Sequence, residues 1–364
     1  MYIESLELRH FRNYDDLSLQ FDRGTNLFWG SNAQGKTNIL EALYLGGTTR
    51  SHRTAKDKDM IKLGQAESHI RMTLCKNDVE GRIDMHLKKQ KAKGIAINGV
   101  PIRKASELFG LVSMVFFSPE DLNMIKNGPS ERRRFIDREL SQLDRIYLTD
   151  LVRYQKCLMQ RNKLLHEIYF RPDLIDELDV WDDQLISYGE KVVRGREAFL
   201  EELNEIVSGI HSHLTGQRET IRLIYEPSVS EGDLGDRIRR MRESDLKTQS
   251  TGAGPHRDDM CVEINGMDAR VYGSQGQQRT AALSLKMSEI ELVRKRIHDT
   301  PVLLLDDVLS ELDESRQDFL LDSIRDIQTF ITCTGIDEIT RGQFKIDRSF
   351  YVEDGRVAAD MKAD

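Results

Sequence analysis

Apolar and polar positions change their period along the chain, and each period predicts a kind of element. Over residues 1–30, Leu17, Leu19 and Phe21 fall on every second position, and Leu27-Phe28-Trp29 runs on to Gly30; both patterns predict strands. Residues 69–102 alternate again, at Ile70, Met72, Leu74 and at Ile83, Met85, Leu87. Asn98-Gly99 between Ile97 and Val100 predicts a two-residue hairpin turn, because both residues tolerate positive φ. After Ser118-Pro119 the period lengthens. Leu140, Leu143, Tyr147, Leu151, Tyr154, Leu158, Leu165 and Ile168 are spaced by threes, fours and one seven. A break at residues 169–173 contains Pro172, and the spacing resumes from Leu174 through Leu185, Val192, Phe199 and Leu203 to Leu214. This predicts two helices of about 40 residues, roughly 60 Å long, folded as an antiparallel hairpin. Arg161 and Gly195 fall at seam positions, which leaves an ordinary pair of bundle helices open; the length and the missing third partner favour a protruding arm. Residues 215–260 are less regular, and Arg237, Arg239, Arg240 and Arg242 have the pattern of a solvated helix face. Helical spacing returns at Thr280–Arg296, and the strand Val302–Leu305 opens a closing stretch of alternating strand and helix.

Sheet segments thus flank a helical insertion, which predicts an α/β protein whose first and last thirds share a sheet. The expected division is 1–112 with 297–364 as one lobe and 113–296 as a helical second lobe, with the arm at about 131–214. The 364 residues, 39% of them hydrophobic, suffice for a real core and exclude a mostly disordered chain. The apolar runs fall far short of the roughly 20 residues that cross a bilayer, and the first residues read as a strand instead of a secretory leader. The expectation is a cytoplasmic protein without membrane contact. Cys75, Cys157, Cys261 and Cys333 lie too far apart for a close metal or redox pair and read as buried thiols.

A net charge of −8 argues against a nucleic-acid partner until its distribution is counted. Residues 50–104 carry fourteen Lys/Arg against six Asp/Glu, an excess of +8 that leaves −16 on the rest. Such a segment attracts a polyanion, and Lys56, Lys58, Lys88, Lys89, Lys91 and Lys93 are its candidate DNA contacts. Without any motif that reads base edges, sequence-independent phosphate binding is the expected mode.

Gly30-Ser31-Asn32-Ala33-Gln34-Gly35-Lys36-Thr37 is a complete G-x-x-x-x-G-K-[ST] loop between a strand and the helical pattern of Asn38–Leu43. Its glycines let backbone N–H groups close around phosphate oxygens. Lys36 is expected at the β/γ-phosphates of ATP, and the Thr37 hydroxyl on Mg²⁺. The second half of an ATPase site needs a carboxylate at the end of a buried strand, and Pro301–Asp307 supplies two. Asp306 is the expected Mg²⁺ ligand and Asp307 the group that polarises the attacking water. His52 and His256 have neither a nucleophile nor an orienting partner in the sequence, so structural or phosphate-contacting roles are expected of them.

These motifs, with Ser310-Glu311-Leu312-Asp313 after the acidic pair, resemble the ABC-type ATPase heads of structural-maintenance-of-chromosomes proteins, and within that class the RecF family of bacterial recombination and gap-repair proteins. The resemblance rests on stretches in the family's order: Ser51-His52-Arg53; Phe117-Ser118-Pro119-Glu120-Asp121-Leu122; residues 128–137 (Gly-Pro-Ser-Glu-Arg-Arg-Arg-Phe-Ile-Asp); residues 254–259 (Gly-Pro-His-Arg-Asp-Asp); and Ser274-Gln275-Gly276-Gln277-Gln278-Arg279. It implies an ATP-dependent homodimer in which Ser274, Gly276 and Gln277 of one subunit meet the γ-phosphate held by the other. Locally, Ser274 fits a plain helix N-cap equally well. Arg12, in Phe11-Arg12-Asn13, resembles a nucleotide-contacting turn, with a surface arginine as the alternative. The resemblance further implies a clamp on duplex DNA near gaps or single-strand/double-strand junctions, RecR and RecO as partners in loading recombinase, and a weak, DNA-stimulated ATPase.

Departures from the wider ABC pattern are Gln275 for the first signature glycine and Asp307 for the usual Glu, the shorter acid suggesting slow hydrolysis. A glutamine near Pro119 and a switch histidine are also missing; Ser118 or Glu120, and Thr332 or Thr334, are the candidates for those places. The competing functions are a small-molecule P-loop kinase with a helical lid, which has no use for a signature acting in trans, and an ABC transporter ATPase subunit, which the missing histidine and glutamine count against.

Overall fold

The computed structural model describes residues 1–104, 107–121, 124–230, 232–335 and 345–360. In chain order the elements begin with β1 (Tyr2–Phe11), β2 (Tyr14–Gln20), β3 (Thr25–Trp29), α1 (Lys36–Thr48), β4 (Glu67–Lys76), β5 (Val79–Lys88), β6 (Lys91–Ile97), β7 (Val100–Pro101) and β8 (Met114–Phe117). Next come α2 (Pro129–Leu143), α3 (Arg145–Ile168), α4 (Leu178–Leu214), β9 (Ile221–Glu226), α5 (Leu234–Thr248), β10 (Asp259–Ile264), β11 (Met267–Asp268), α6 (Ala269–Tyr272) and α7 (Gln275–Ile297). The chain then returns through β12 (Val302–Asp306), α8 (Glu314–Ser323), β13 (Thr329–Cys333), β14 (Arg348–Glu353) and β15 (Arg356–Asp360).

Contacts divide these elements into two compact units, Met1–Asp121 with Ile290–Asp364, and Leu122–Glu289. The first holds two six-stranded sheets. One is antiparallel, ordered β2-β1-β4-β5-β6-β7; the other is ordered β15-β14-β3-β13-β12-β8, with only β15 antiparallel to its neighbour. Strands β8, β12 and β13 are buried at every residue, as continuous apolar runs in a parallel sheet require. The antiparallel strands instead alternate, with Ile70, Met72, Ile83 and Met85 inward. Helix α1 packs against strands of both sheets, so it is buried almost all round. Close approach is written into it: a Cβ on Gly47 would meet the Met114 sulfur at 2.6 Å. The Asn98-Gly99 turn forms with positive φ at both residues, joining Ile97 to Val100.

The unit boundaries fall at 121/122 and 289/290, against the expected 112/113 and 296/297. Residues 114–117, assigned from the sequence to the helical lobe, form β8, which pairs in parallel with β12 from Met114↔Val302 onward. Leu122, the last residue of the Phe117–Leu122 stretch, lies outside the described residues.

In the second unit the expected first long helix is two helices. Asp144 breaks it, its carboxylate accepting the N–H groups of Ile146 and Tyr147 as the N-cap of α3. Helix α4 runs 37 residues, about 55 Å. The hairpin also has the third partner that the apolar spacing does not reveal, since α5 packs on both α3 and α4. Seam residue Arg161 is fully buried, bonded to Asp182 of α4 at 2.6 Å, to Asp245 of α5 at 2.7 Å and to Thr251 at 2.8 Å. Gly195 leaves space for the Tyr147 ring, which a Cβ would meet at 2.7 Å. The arginine cluster of α5 is not wholly solvated either: Arg242 holds Asp179 and Asp182. Among the described residues no helix is long and apolar enough to cross a membrane.

Candidate active site

Strand β3 ends at the phosphate loop and α1 begins inside it. Gly30 and Gly35 take φ of 140° and 120°, and Ala33 sits at 64°. A Cβ on Gly30 would meet the Val352 carbonyl oxygen at 2.4 Å, so residues other than glycine are excluded there. No side chain caps α1, which leaves the N–H groups of its first turn to serve an anion. The loop is held from two sides. Asn13 donates its amide to the Gln34 carbonyl at 2.9 Å and accepts from Asn38 at 2.8 Å, while the Tyr14 hydroxyl reaches the Gly35 carbonyl at 3.1 Å. From the β14–β15 turn, Asp354 N–H donates to Gln34 Oε1 at 2.7 Å. Lys36 is only 7% exposed and donates to the carbonyls of Gly30 (2.6 Å) and Ser31 (2.8 Å). Burial pulls its pKa down, against the attraction of Asp307 and Asp306.

Parallel pairing places the acidic pair beside this loop. The strand order β3-β13-β12 brings Asp306 within reach of Thr37, whose hydroxyl donates to Asp306 Oδ1 at 2.9 Å. Thr332 on β13 donates to the same oxygen at 2.8 Å and accepts the Asp307 N–H at 2.9 Å. Burial raises the Asp306 pKa, and the two hydroxyls oppose it. Asp307 occupies the left-handed region at φ 54°, an unfavourable backbone for a non-glycine residue that turns it out of the strand. Thr37 and Asp306 form an all-oxygen set around a buried carboxylate satisfied by neutral hydroxyls, and this chemistry fits Mg²⁺.

Other sequence candidates stand elsewhere. Arg12 clamps Glu41 in a bidentate pair at 2.7 and 2.6 Å and donates to the Asp59 carbonyl at 2.7 Å. Burial would raise the Glu41 pKa, but the hydrogen bonds from Arg12 and Ser51 outweigh it and hold the carboxyl below its usual range. Arg12 is therefore the counter-charge of a fully buried carboxylate in α1 and not a simple surface arginine. Thr332, expected at phosphate, holds the acidic pair; Thr334 is exposed just beyond β13. Ser118 donates from its N–H and hydroxyl to Asp121. His256 bonds Tyr154 through Nδ1 and the Thr251 carbonyl through Nε2, and His52 stacks on Phe116 at 3.9 Å. Two of the resemblance stretches, 128–137 and 254–259, interlock: Arg132 pairs with Asp259, and buried Arg196 ties Asp137 to Asp258 and the Pro255 carbonyl.

In the second unit, Ser274 and Gln277 form a capping box. Gln277 N–H donates to Ser274 Oγ at 3.2 Å, Ser274 N–H donates to Gln277 Oε1 at 2.9 Å, and the Gln277 amide holds Glu219 at 2.9 Å. The N-cap reading is thus correct, and since the hydroxyl serves as acceptor its proton remains to donate. Ser274, Gln275 and Gly276 are exposed beside the exposed Val271 and Tyr272.

The basic segment is drawn together by the antiparallel sheet. Lys88 and Lys91 face each other across the β5–β6 turn, with Lys89 between them. Lys93 is bonded to Asp57 at 2.8 Å, which sets it beside the exposed Lys56 and Lys58 and neutralises its charge.

Phosphate loop, acidic pair, parallel sheet and helical second unit together define an ABC-type P-loop ATPase head. The profile of the RecF/RecN/SMC N-terminal domain matches residues 2–355. DNA replication and repair protein RecF of Agathobacter rectalis is 59% identical over 357 residues, covering 98% of this chain and 99% of the relative. The RecF of Clostridium tetani is 44% identical over 364 residues, at the same coverage. A solved structure of the recombination mediator protein RecF with ATP, in the RecFOR pathway, gives a TM-score of 0.91 at 36% identity over 99% of this chain and 98% of that one. An Smc head domain from Pyrococcus furiosus shares the fold, with a TM-score of 0.57 at 17% identity. The chain belongs to the RecF family.

Proposed function

We propose that this chain is an ATP-switched DNA-binding protein of recombinational repair and replication-gap processing. The observation that carries the reading is the junction of Lys36, Thr37, Asp306 and Thr332, where a phosphate loop and a buried carboxylate meet through a 2.9 Å hydrogen bond. ATP binds along residues 30–37, and Lys36 exchanges its loop carbonyls for β/γ-phosphate oxygens. Mg²⁺, held by Thr37 and Asp306, supplies neutralisation of charge on the phosphate oxygens. Asp307 accepts a hydrogen bond from the attacking water and orients it in line with the γ-phosphate; its short side chain makes hydrolysis slow. The exposed Ser274 and Gly276 and the half-buried Gln277 of a second copy cover the γ-phosphate, the Ser274 hydroxyl donating to it, so ATP joins two subunits. The joined pair holds duplex DNA near a gap or strand junction through phosphate contacts from the basic segment, DNA stimulates the ATPase, and hydrolysis releases the duplex. RecR and RecO are the partners through which recombinase is loaded. Sedimentation with and without ATP and duplex DNA tests the reading: a dimer that forms only with ATP and carries DNA supports it, and a monomer under all conditions overturns it.

A further inference from the structure

The outer face of the antiparallel sheet carries a group of side chains that the ATP site does not use. His69 on β4 and His86 on β5 are directly opposite in register, and their rings stack at 3.9 Å. Glu67 lies two residues before His69, hence on the same face of the strand. Its carboxylate spans the pair, with Oε2 at 2.9 Å from His86 Nε2 and Oε1 at 3.7 Å from His69 Nε2. One ligand atom from each of the three residues falls within 4.8 Å of the others. Bonds of about 2.0–2.2 Å in tetrahedral geometry require neighbouring ligand atoms roughly 3.3 Å apart, so small side-chain rotations bring this set onto an ion. The cations on this face are largely answered by neighbours: Arg71 by Asp84 and Glu7, and Arg9 by Asp16. Lys88 stands opposite Glu67. The two imidazoles, His69 and His86, line a concavity of about 750 Å³.

We propose that Glu67, His69 and His86 form a binding site for a zinc-class divalent transition metal. Two imidazole nitrogens and one carboxylate oxygen select Zn²⁺ and its borderline neighbours over Mg²⁺, which takes oxygen ligands. Three protein ligands leave the fourth tetrahedral position open to the concavity, for water or a donor brought by a partner. Because the ligands come from neighbouring strands, the bound ion also pins β4 to β5. The site is independent of the ATP reading, since it shares no residue with the phosphate loop or the acidic pair.

The test is titration of chelator-stripped full-length protein with Co²⁺, read by its visible d–d absorption, and displacement by Zn²⁺, both under excess Mg²⁺ to occupy the Thr37–Asp306 site. The expected result is one equivalent bound, at least about tenfold weaker binding in His69→Asn and in His86→Asn, and unchanged binding in a control His298→Asn. Zn²⁺ should also raise the thermal midpoint of the wild type and of His298→Asn, but not of the two ligand variants. Unchanged Co²⁺ affinity in both ligand variants, or a Co²⁺ signal abolished by Asp306→Asn alone, overturns the proposal.

Discussion

Thr332→Val perturbs the acidic pair while leaving Lys36, Thr37, Asp306 and Asp307 in place. The two side chains are nearly isosteric and both branched at Cβ, so the strand preference of β13 is kept. What goes is one hydroxyl in a residue 1% exposed, donating to Asp306 Oδ1 at 2.8 Å and accepting the Asp307 N–H at 2.9 Å. A hydrogen bond to a charged acceptor contributes about 1.5–3 kcal/mol, and stranding a half-buried N–H costs about 1 kcal/mol more. The added methyl returns about 0.8 kcal/mol. The expected net loss is about 2–3 kcal/mol, and Asp306, left with the Thr37 hydroxyl and the charges of Arg53 and Lys36 opposing its burial, moves further up in pKa. Urea unfolding gives the stability term, calorimetry with MgATP gives the binding term, and Thr332→Ser, which keeps the hydroxyl, should behave like the wild type. A loss below about 0.5 kcal/mol with unaltered MgATP affinity would refute the argument that this hydroxyl organises the site.

Three further expectations follow from the same geometry. Asp307→Asn keeps the Asp306 ligand but removes the water-orienting carboxylate, so hydrolysis should fall by about 100-fold or more while the ATP-joined dimer persists; wild-type turnover in a phosphate-release assay counts against it. Burial raises the Asp306 pKa above the usual 3.8, so the folded chain holds that proton more tightly than the unfolded chain and stability is lost as pH rises through the interval. Asp306→Asn should therefore melt above the wild type near neutral pH, the gap closing as pH falls towards about 4, and a gap that widens on acidification contradicts this. Replacing Lys88, Lys89 and Lys91 with Ala should lower the log–log salt slope of duplex binding by up to about 0.9 per lost contact, whereas Lys93→Ala should leave the slope unchanged because Asp57 already neutralises Lys93.

What the sequence made legible is what lies close together in it. The loop Gly30–Thr37 and the run Val302–Asp307 each carry their chemistry within eight residues, and flanking strand and helix patterns placed both. Thr332 is harder to read, because its contact with Asp306 exists only once β13 lies beside β12 in register. Asn13, Tyr14 and Glu41 were missed for a related reason: they secure the loop and α1 through contacts that local periodicity does not encode. The break at Asp144 hid inside an apolar spacing that continues from Leu140 through Tyr147. An Asp directly before a helical run was the available sign of an N-cap. Arg161 at a seam leaves bundle packing open in the sequence, and the structure buries it because Asp182 and Asp245 arrive from two other helices.

If one subunit's signature completes the ATP site of another, sedimentation velocity of paired variants separates the two halves of that site. Ser274→Arg puts a long side chain into the proposed interface, where its steric cost should exceed any attraction to phosphate, while Lys36→Met disables the phosphate loop. Ser274→Arg is expected to bind ATP as a monomer, Lys36→Met to stay monomeric, and a mixture to recover at most one composite site, formed from the intact loop of the first and the intact signature of the second. ATP-dependent dimerisation of Ser274→Arg alone, at the wild-type extent, would contradict it.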